Sequence, residues 1–293
     1  MYYEAKKETL IMLYRHTLLT AEQLAVSLHY KPKTMHNITS QLHQQGLVRS
    51  IPLPFLKRNH VGYTLTAFGA RGAASLVGDE TIYRAKAWEA GPMQIEHYYG
   101  TNAFFADLIA ASFTEPDEGL LEWLDPRSAA ERYVQAQPGE KRHTPVKPDG
   151  FGMYRFADQS RLAFHLEYDT GTEPLHRLKE KLLQYGILLP TIWPKVETVH
   201  ILFVTKIVGR AKLITDLWAS LQKGTFQFSR LPQVWAVYEP QWKQAGLNGA
   251  LWCGSEDRRM RLRDMPLLPP LADRYVSVLG KQERDPPPIG IRR

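Results

Sequence analysis

Three carboxylates in one short run of the chain have the spacing to do chemistry: Asp149 at the entry to one strand, and Glu167 and Asp169 two apart near the end of the next. Residues two apart on a strand project to the same face, so Glu167 and Asp169 share a side and Asp149 can converge on them. Carboxylates gathered at strand ends suit a hard divalent cation such as magnesium, with manganese as a substitute, because such ions take oxygen ligands and keep several waters. A cation of this kind can hold a scissile phosphate and generate hydroxide. Acidic residues beside strands are also ordinary turn and cap material, and Asp149-Gly150 is a turn pair. Burial argues against that plainer reading: the strand carrying Glu167 and Asp169 is otherwise apolar, and unpaired carboxylates are costly there.

The elements around these residues follow from periodicity. Residues 150–156 alternate as a strand, 157–160 make a turn, and 161–168 return as a second strand, so a hairpin is the simplest arrangement. Thr172 is placed to cap a helix with Glu173 and Pro174 in its first turn, and Leu175, Leu178, Leu182, Tyr185 and Leu189 repeat at helical spacing. Residues 199–205, VHILFVT, form a buried strand; 210–222 form a helix and 234–238 another strand. Upstream, 95–113 form a helix apolar on most sides, carrying His97, Tyr98, Tyr99 and Asn102, in which His97 reads as a core or interface residue rather than a ligand. Residues 120–124 form a short strand with Trp123. The polar run 135–144 reads as a surface loop in which Lys141, Arg142 and His143 can meet a phosphate backbone.

The first part of the chain has a different organisation. Residues 4–15 form an amphipathic helix with Leu10, Leu13 and Tyr14 inward. Thr20 and Gln23 have the spacing of a capping box for a second helix. Lys31-Pro32 opens a third that Gly46 stops. In the third helix Met35, Ile38 and Leu42 make the inward stripe, which leaves Lys33, His36, Asn37, Ser40, Gln41 and Gln44 outward. Those side chains are of the types that read DNA grooves, although any solvated helix face is polar. Two short strands at 47–51 and 62–66 follow, joined by a tip at 52–61 with Lys57, Arg58 and His60.

Composition bounds the function. The chain of 293 residues is long enough for two cores, and 37 Lys plus Arg against 30 Asp plus Glu give a net charge of +7 that favours a polyanionic partner. The one cysteine excludes an intrachain disulfide or a cysteine-based zinc site and makes a reducing cytoplasm the expected compartment. No long apolar run predicts a membrane span, and the charged N-terminus does not read as a signal peptide.

The Pro148-Asp149 pair followed by Glu167 resembles the PD-(D/E)XK nuclease superfamily, in which an aspartate precedes an acidic residue, any residue and a lysine. The chain departs from the pattern at the lysine, where Asp169 stands. Some members of that superfamily supply the lysine from the following helix, which makes Lys179 and Lys181 candidates. Each lies about 80° from the centre of the helix's apolar stripe, on opposite sides, so periodicity does not choose between them. The resemblance implies that Asp149 and Glu167 hold magnesium, that Asp169 is a further ligand or base, and that Lys179 or Lys181 steadies the phosphate. Residues 1–78, with QLHQQGLVRS and YTLTAFGARGAASL, resemble the winged helix-turn-helix family. There the third helix enters the major groove and the wing, here with Lys57 and Arg58, touches backbone or minor groove.

Taken together, IEHYYGTNAFF, KPDG, HLEYDTGTEPLHRLKEKLLQY and ILFVT resemble the replication-relaxation family of plasmids and mobile elements. The fold class expected is α+β in two domains: a winged helix over 1–78, a linker over 79–94, an α/β PD-(D/E)XK-like core over 95–257, and a basic, proline-rich segment over 258–293, partly disordered. The function expected is sequence-selective binding of double-stranded DNA in replication or relaxation, with magnesium-dependent cleavage. A non-enzymatic initiator or transcriptional regulator with a degenerate nuclease fold is the alternative. The partners implied are double-stranded DNA, a second copy of the chain, and replication or transfer proteins.

Overall fold

Capping chemistry delimits the first helices. The structure, a computed structural model, describes residues 2–56, 60–83, 87–115, 117–136, 146–193, 195–225, 230–269, 275–276 and 282–283. The chain divides into two compact units, one within Met1–Ala110 and one within Ala111–Pro288. In the first, α1 (Tyr2–His16) is followed by α2 (Ala21–Leu28), whose N-cap Thr20 accepts from the Gln23 amide while the Gln23 side chain accepts from the Thr20 amide. At eight residues α2 is too short to stand alone in water, and the burial of Leu24 and Ala25 holds it. His29 turns the chain in the left-handed region at φ 56°, and Pro32 opens α3 (Pro32–Gln44).

The antiparallel pair β1 (Val48–Pro52) and β2 (Val61–Leu65) follows, and α4 (Ala67–Val77) closes this run. Thr66 ties α4 to the end of α3: its hydroxyl donates to the Gly46 carbonyl at 2.7 Å and accepts from the Gly69 amide at 3.0 Å. Only glycine fits at 69, because a Cβ there would lie 1.9 Å from the Leu47 carbonyl oxygen. The long helix α5 (Pro92–Ala111), which the sequence reading placed in the second domain, makes its hydrogen bonds with the first unit. Its Asn102 amide donates to the carbonyls of His16 and Leu18, and its Tyr99 carbonyl accepts from Gln23. Buried carbonyls at the α1–α2 turn must be satisfied, and Asn102 supplies donors to two of them.

The second unit is built on one seven-stranded mixed sheet. Its elements are β3 (Gly119–Leu124), α6 (Pro126–Ala136), β4 (Gly150–Arg155), β5 (Arg161–Asp169), α7 (Leu175–Ile192), β6 (Val199–Thr205), α8 (Arg210–Gly224), β7 (Gln233–Tyr238), α9 (Glu239–Gly249), β8 (Trp252–Cys253) and β9 (Arg259–Met260). The strands pair in chain order; the pairs β3–β4 and β4–β5 are antiparallel, β5–β6 and β6–β7 parallel, and β7–β8 and β8–β9 antiparallel. The strands expected at 120–124, 150–156, 161–168, 199–205 and 234–238 are present, but α6 lies between the first two where no helix was expected. Helix α7 begins three residues later than Thr172: Pro174 occupies the N-cap without a side-chain bond, and the Thr172 hydroxyl pairs with that of Thr170. Leu175, expected inward, is accordingly exposed.

One sheet face packs under α7 and α8, where Met153, Ala163, Ile201 and Phe203 meet Leu178, Leu182, Tyr185, Ile214 and Trp218. Alternation places Phe164, Leu166, His200 and Trp235 on the other face. The chain beyond 258 is part of this fold over its described residues: Leu268 bridges Arg161, and the Pro266 carbonyl accepts from His200. Among the described residues no helix is long and apolar enough to cross a membrane.

His200 has one possible tautomer. Trp235 Nε1 donates to its Nδ1 at 3.0 Å, so the ring proton must be on Nε2, which faces the Pro266 carbonyl at 2.7 Å. Burial pushes the imidazole down to about 4, against the partial support of that carbonyl. A depressed folded pKa gives stability that is full above the unfolded value and is lost as pH falls toward the folded one. We expect the wild type to lose about 2 to 3 kcal/mol more than His200→Gln between pH 7.5 and pH 4.5 in urea unfolding. Parallel pH profiles for the two would show that His200 does not titrate in this way.

Candidate functional site

Strand β5 brings the acidic residues to the edge of the sheet because all nine of its residues are buried and its odd positions face α7. Glu167 pairs across the parallel ladder with Phe203, and Asp169 with Thr205. The Glu167 side chain is 2% exposed, too buried for an uncompensated charge. Two residues four apart on α7, and therefore on one helical face, compensate it. The Lys181 ammonium donates to Glu167 Oε2 at 2.9 Å, and the Tyr185 hydroxyl donates to Oε1 at 2.5 Å.

Asp149, just before β4, joins this group. Its backbone amide donates to the Leu166 carbonyl and its Oδ2 accepts from the Tyr168 amide at 2.7 Å, which seats its carboxylate beside β5. Burial first, and then the like charge of Asp149, drive the Glu167 carboxyl up to about 7 against the pull of Lys181 and Tyr185. Burial also disfavours the Lys181 ammonium, but the charges of Glu167, Asp149 and Glu173 outweigh it and hold Lys181 above its ordinary range. Glu173 reaches Lys181 at 3.3 Å. Lys179 is exposed on the other flank of the helix.

Asp169 goes elsewhere. Its Oδ2 accepts from the Thr205 hydroxyl at 2.8 Å and from Arg210 Nε at 2.5 Å, while Oδ1 accepts from the Gly171 amide at 3.1 Å. The same guanidinium donates through Nη2 to the Glu173 carbonyl at 2.7 Å. The three carboxylates expected to converge therefore separate into a pair, Asp149 and Glu167, and a third with its own cation. The reason is that Asp169 lies one full strand repeat farther along, where the first turn of α8 can reach it. Among the described residues no three His, Cys, Asp or Glu side chains could together hold a metal ion. Asp149 and Glu167 nevertheless fit magnesium in its sparse form, which needs one or two carboxylates and fills its remaining positions with water and phosphate. Their mutual repulsion is what a divalent charge relieves. Asp169 is held apart from that pair by Arg210, Thr205 and Gly171.

Periodicity alone did not single out Tyr185, Glu173 or Arg210 as site residues. The spacing of four between Lys181 and Tyr185 was available as a signal. Arg210 gave none, since it meets Asp169 across 41 residues.

In the first unit, Lys33, His36, Asn37, Ser40, Gln41 and Gln44 are all exposed on α3, while Met35, Ile38 and Leu42 are buried. His36 is not simply outward: its Nε2 lies 3.0 Å from Glu22 Oε1 on α2. Lys57, Arg58 and the basic run 141–143 lie outside the described residues.

A protein-family model described as replication-relaxation matches residues 10–195. No curated protein and no solved structure matches the chain.

The ion pair makes a pH-signed prediction. A carboxyl whose folded pKa is raised gives stability below its unfolded value that is lost as pH rises through the folded one, and removing Lys181 lifts that folded value further. Lys181→Met should therefore cost about 3 kcal/mol at pH 8, where the buried Glu167 must either keep its charge without its cation or take up a proton, and under about 1 kcal/mol at pH 5. Urea unfolding at the two pH values measures it, and a deficit that does not change with pH would remove the pair as the cause.

Proposed function

The chain belongs to the replication-relaxation family, and on that premise we propose that it binds double-stranded DNA of a plasmid or mobile element and cuts it in a magnesium-dependent reaction. In this reading the first unit is a winged helix-turn-helix and the second a PD-(D/E)XK-like nuclease fold. The observation that carries it is the meeting of Lys181 with the buried Glu167 beside Asp149: a lysine from the following helix stands where the motif's own lysine is missing.

Asp149 and Glu167 would hold the ion. Bound magnesium supplies positive charge to the scissile phosphate and lowers the pKa of water. Lys181 places its ammonium at the same carboxylates and so puts positive charge where a phosphate oxygen gains negative charge. Tyr185 fixes the rotamer of Glu167 through a short hydrogen bond, and the Asp169–Arg210 pair fastens the loop that presents Glu173. On α3, Lys33 meets phosphate or guanine, and Asn37, Gln41 and Gln44 have the bidentate amides that read adenine. A second reading, a DNA-binding initiator or regulator without catalysis, draws on the occupation of both Glu167 oxygens by protein donors.

Supercoiled plasmid carrying the native flanking DNA separates the two. With magnesium or manganese the wild type should nick or linearise it, chelator should abolish conversion, and Asp149→Asn, Glu167→Gln and Lys181→Met should each slow it at least about a hundredfold. Absence of conversion alongside an intact gel shift would favour the non-catalytic reading. For the DNA contact, Lys33→Ala should reduce the slope of log affinity against log salt by about 1 and weaken binding to all sequences alike. An unchanged slope would take Lys33 off the phosphate backbone.

A further inference from the structure

The loops that leave β5 and β6 carry exposed apolar side chains at the edge where the carboxylates lie. Seven large apolar residues of the second unit are exposed among the described residues: Phe113, Leu175, Ile187, Ile207, Val208, Leu213 and Leu251. Four of these, Leu175, Ile207, Val208 and Leu213, fall on the two loops and the first turns of α7 and α8, which follow the C-terminal ends of the parallel strands. Val208 at 78% exposed and Ile207 at 48% form the tip between β6 and α8.

The tip is fixed in place. Gly171, at φ +87°, sits so close beneath it that a Cβ there would lie 2.2 Å from Ile207 Cγ1. The Ile207 amide donates to the Thr205 hydroxyl, and the Ile207 carbonyl accepts from the Arg210 amide. Arg210 in turn joins Asp169 to the Glu173 carbonyl. A rigid apolar point beside a polar site incurs no ordering cost when it binds, and it has nothing to gain from phosphate. What it can cover is the face of a base.

We propose that Ile207 and Val208 act as an apolar wedge against unstacked bases, so that the DNA engaged by this site is a duplex opened or kinked at the point of contact rather than intact B-form. The proposal rests on the nucleic-acid reading above and names its substrate class. In a stacked duplex the base faces are covered by their neighbours and the outer surface is phosphate, so aliphatic side chains gain contact only where a step is opened. The hydroxyls of Thr170 and Thr172, which bond each other at 3.1 Å, and the side chain of Lys206 lie on the same two loops and suit the backbone flanking such a step.

The test uses the full chain in chelator, so that no cleavage intervenes, with a dye-labelled duplex carrying 2-aminopurine at its centre and the same duplex mismatched there to form a bubble. Anisotropy of the dye reports binding, and 2-aminopurine brightens when unstacked. The wild type should brighten the duplex and bind the bubble roughly tenfold more tightly, the effect of burying about one aliphatic side chain. Val208→Ser, at an exposed position that leaves the core intact, should lose both effects while still binding duplex. Bound duplex that stays dark, or a bubble preference equal in Val208→Ser, overturns the wedge alone. A change of molecular mass in Val208→Ser on sedimentation, with base stacking unaffected, overturns it in favour of a contact between protein chains. Absence of any anisotropy change at low salt overturns the DNA reading and the wedge together.

Discussion

A carboxylate buried at the edge of a sheet is the constraint to which much of the second unit answers. Glu167 has almost no solvent, so its charge must be met by donors the fold supplies, and the cost of failing to do so is several kcal/mol. The register of α7 over β5 is set by apolar packing of Leu178 and Leu182, and that register brings Lys181 and Tyr185 over the two oxygens. Asp149 then adds a like charge that the pair only partly offsets. A stable core would not choose this arrangement, since an apolar side chain at 167 would serve packing better.

The second acid of β5 has a separate task. Asp169 bonds the guanidinium of Arg210, and through it the loop at 170–173 is held against the start of α8. Two acidic residues on one strand thus organise two layers of the same edge: Glu167 faces the helix packed on the sheet, and Asp169 fastens the loop that borders it. That division explains why a strand so buried carries acids at all. It also gives the edge a fixed outline, including the apolar tip at Ile207 and Val208.

In the first unit the same logic of satisfied polar groups operates without charge. The α1–α2 turn exposes carbonyls that Asn102 closes, the end of α3 presents carbonyls that Thr66 closes, and Gln23 serves both its own helix cap and α5. Each bond is worth about 1 kcal/mol net, but leaving the buried carbonyl open would cost more. Helix α5 is therefore a structural partner of the small helices before it. The start of the β1–β2 connection is part of the same cluster, with Phe55 against Tyr99 and Leu53 among Ile95 and Tyr98.

What the chain's residues determined alone was local. The capping box at Thr20, the inward stripe of α3, the hairpin that carries Glu167, the buried strand VHILFVT, the strand VWAVY and the shared face of Glu167 and Asp169 all follow from periods of 3.6 and 2 and from turn chemistry. The candidacy of Asp149 and Glu167 followed from strand spacing as well, whereas that of a helical lysine came from the resemblance to the PD-(D/E)XK pattern. The tertiary structure decided which of these meet. Lys179 and Lys181 flank the same stripe equally, and only the angle at which α7 lies on the sheet puts Lys181 on Glu167. Asp169 parted from the pair because Arg210, contributed by a helix beyond the next strand, reaches it, and Thr172 lost its capping role because Pro174 took the N-cap. Helix α5 belongs to the first unit, where its Asn102 donates to carbonyls of the α1–α2 turn. Periodicity fixes the direction of a side chain from its own element, whereas the partner it finds depends on how distant elements pack, which a local pattern does not encode.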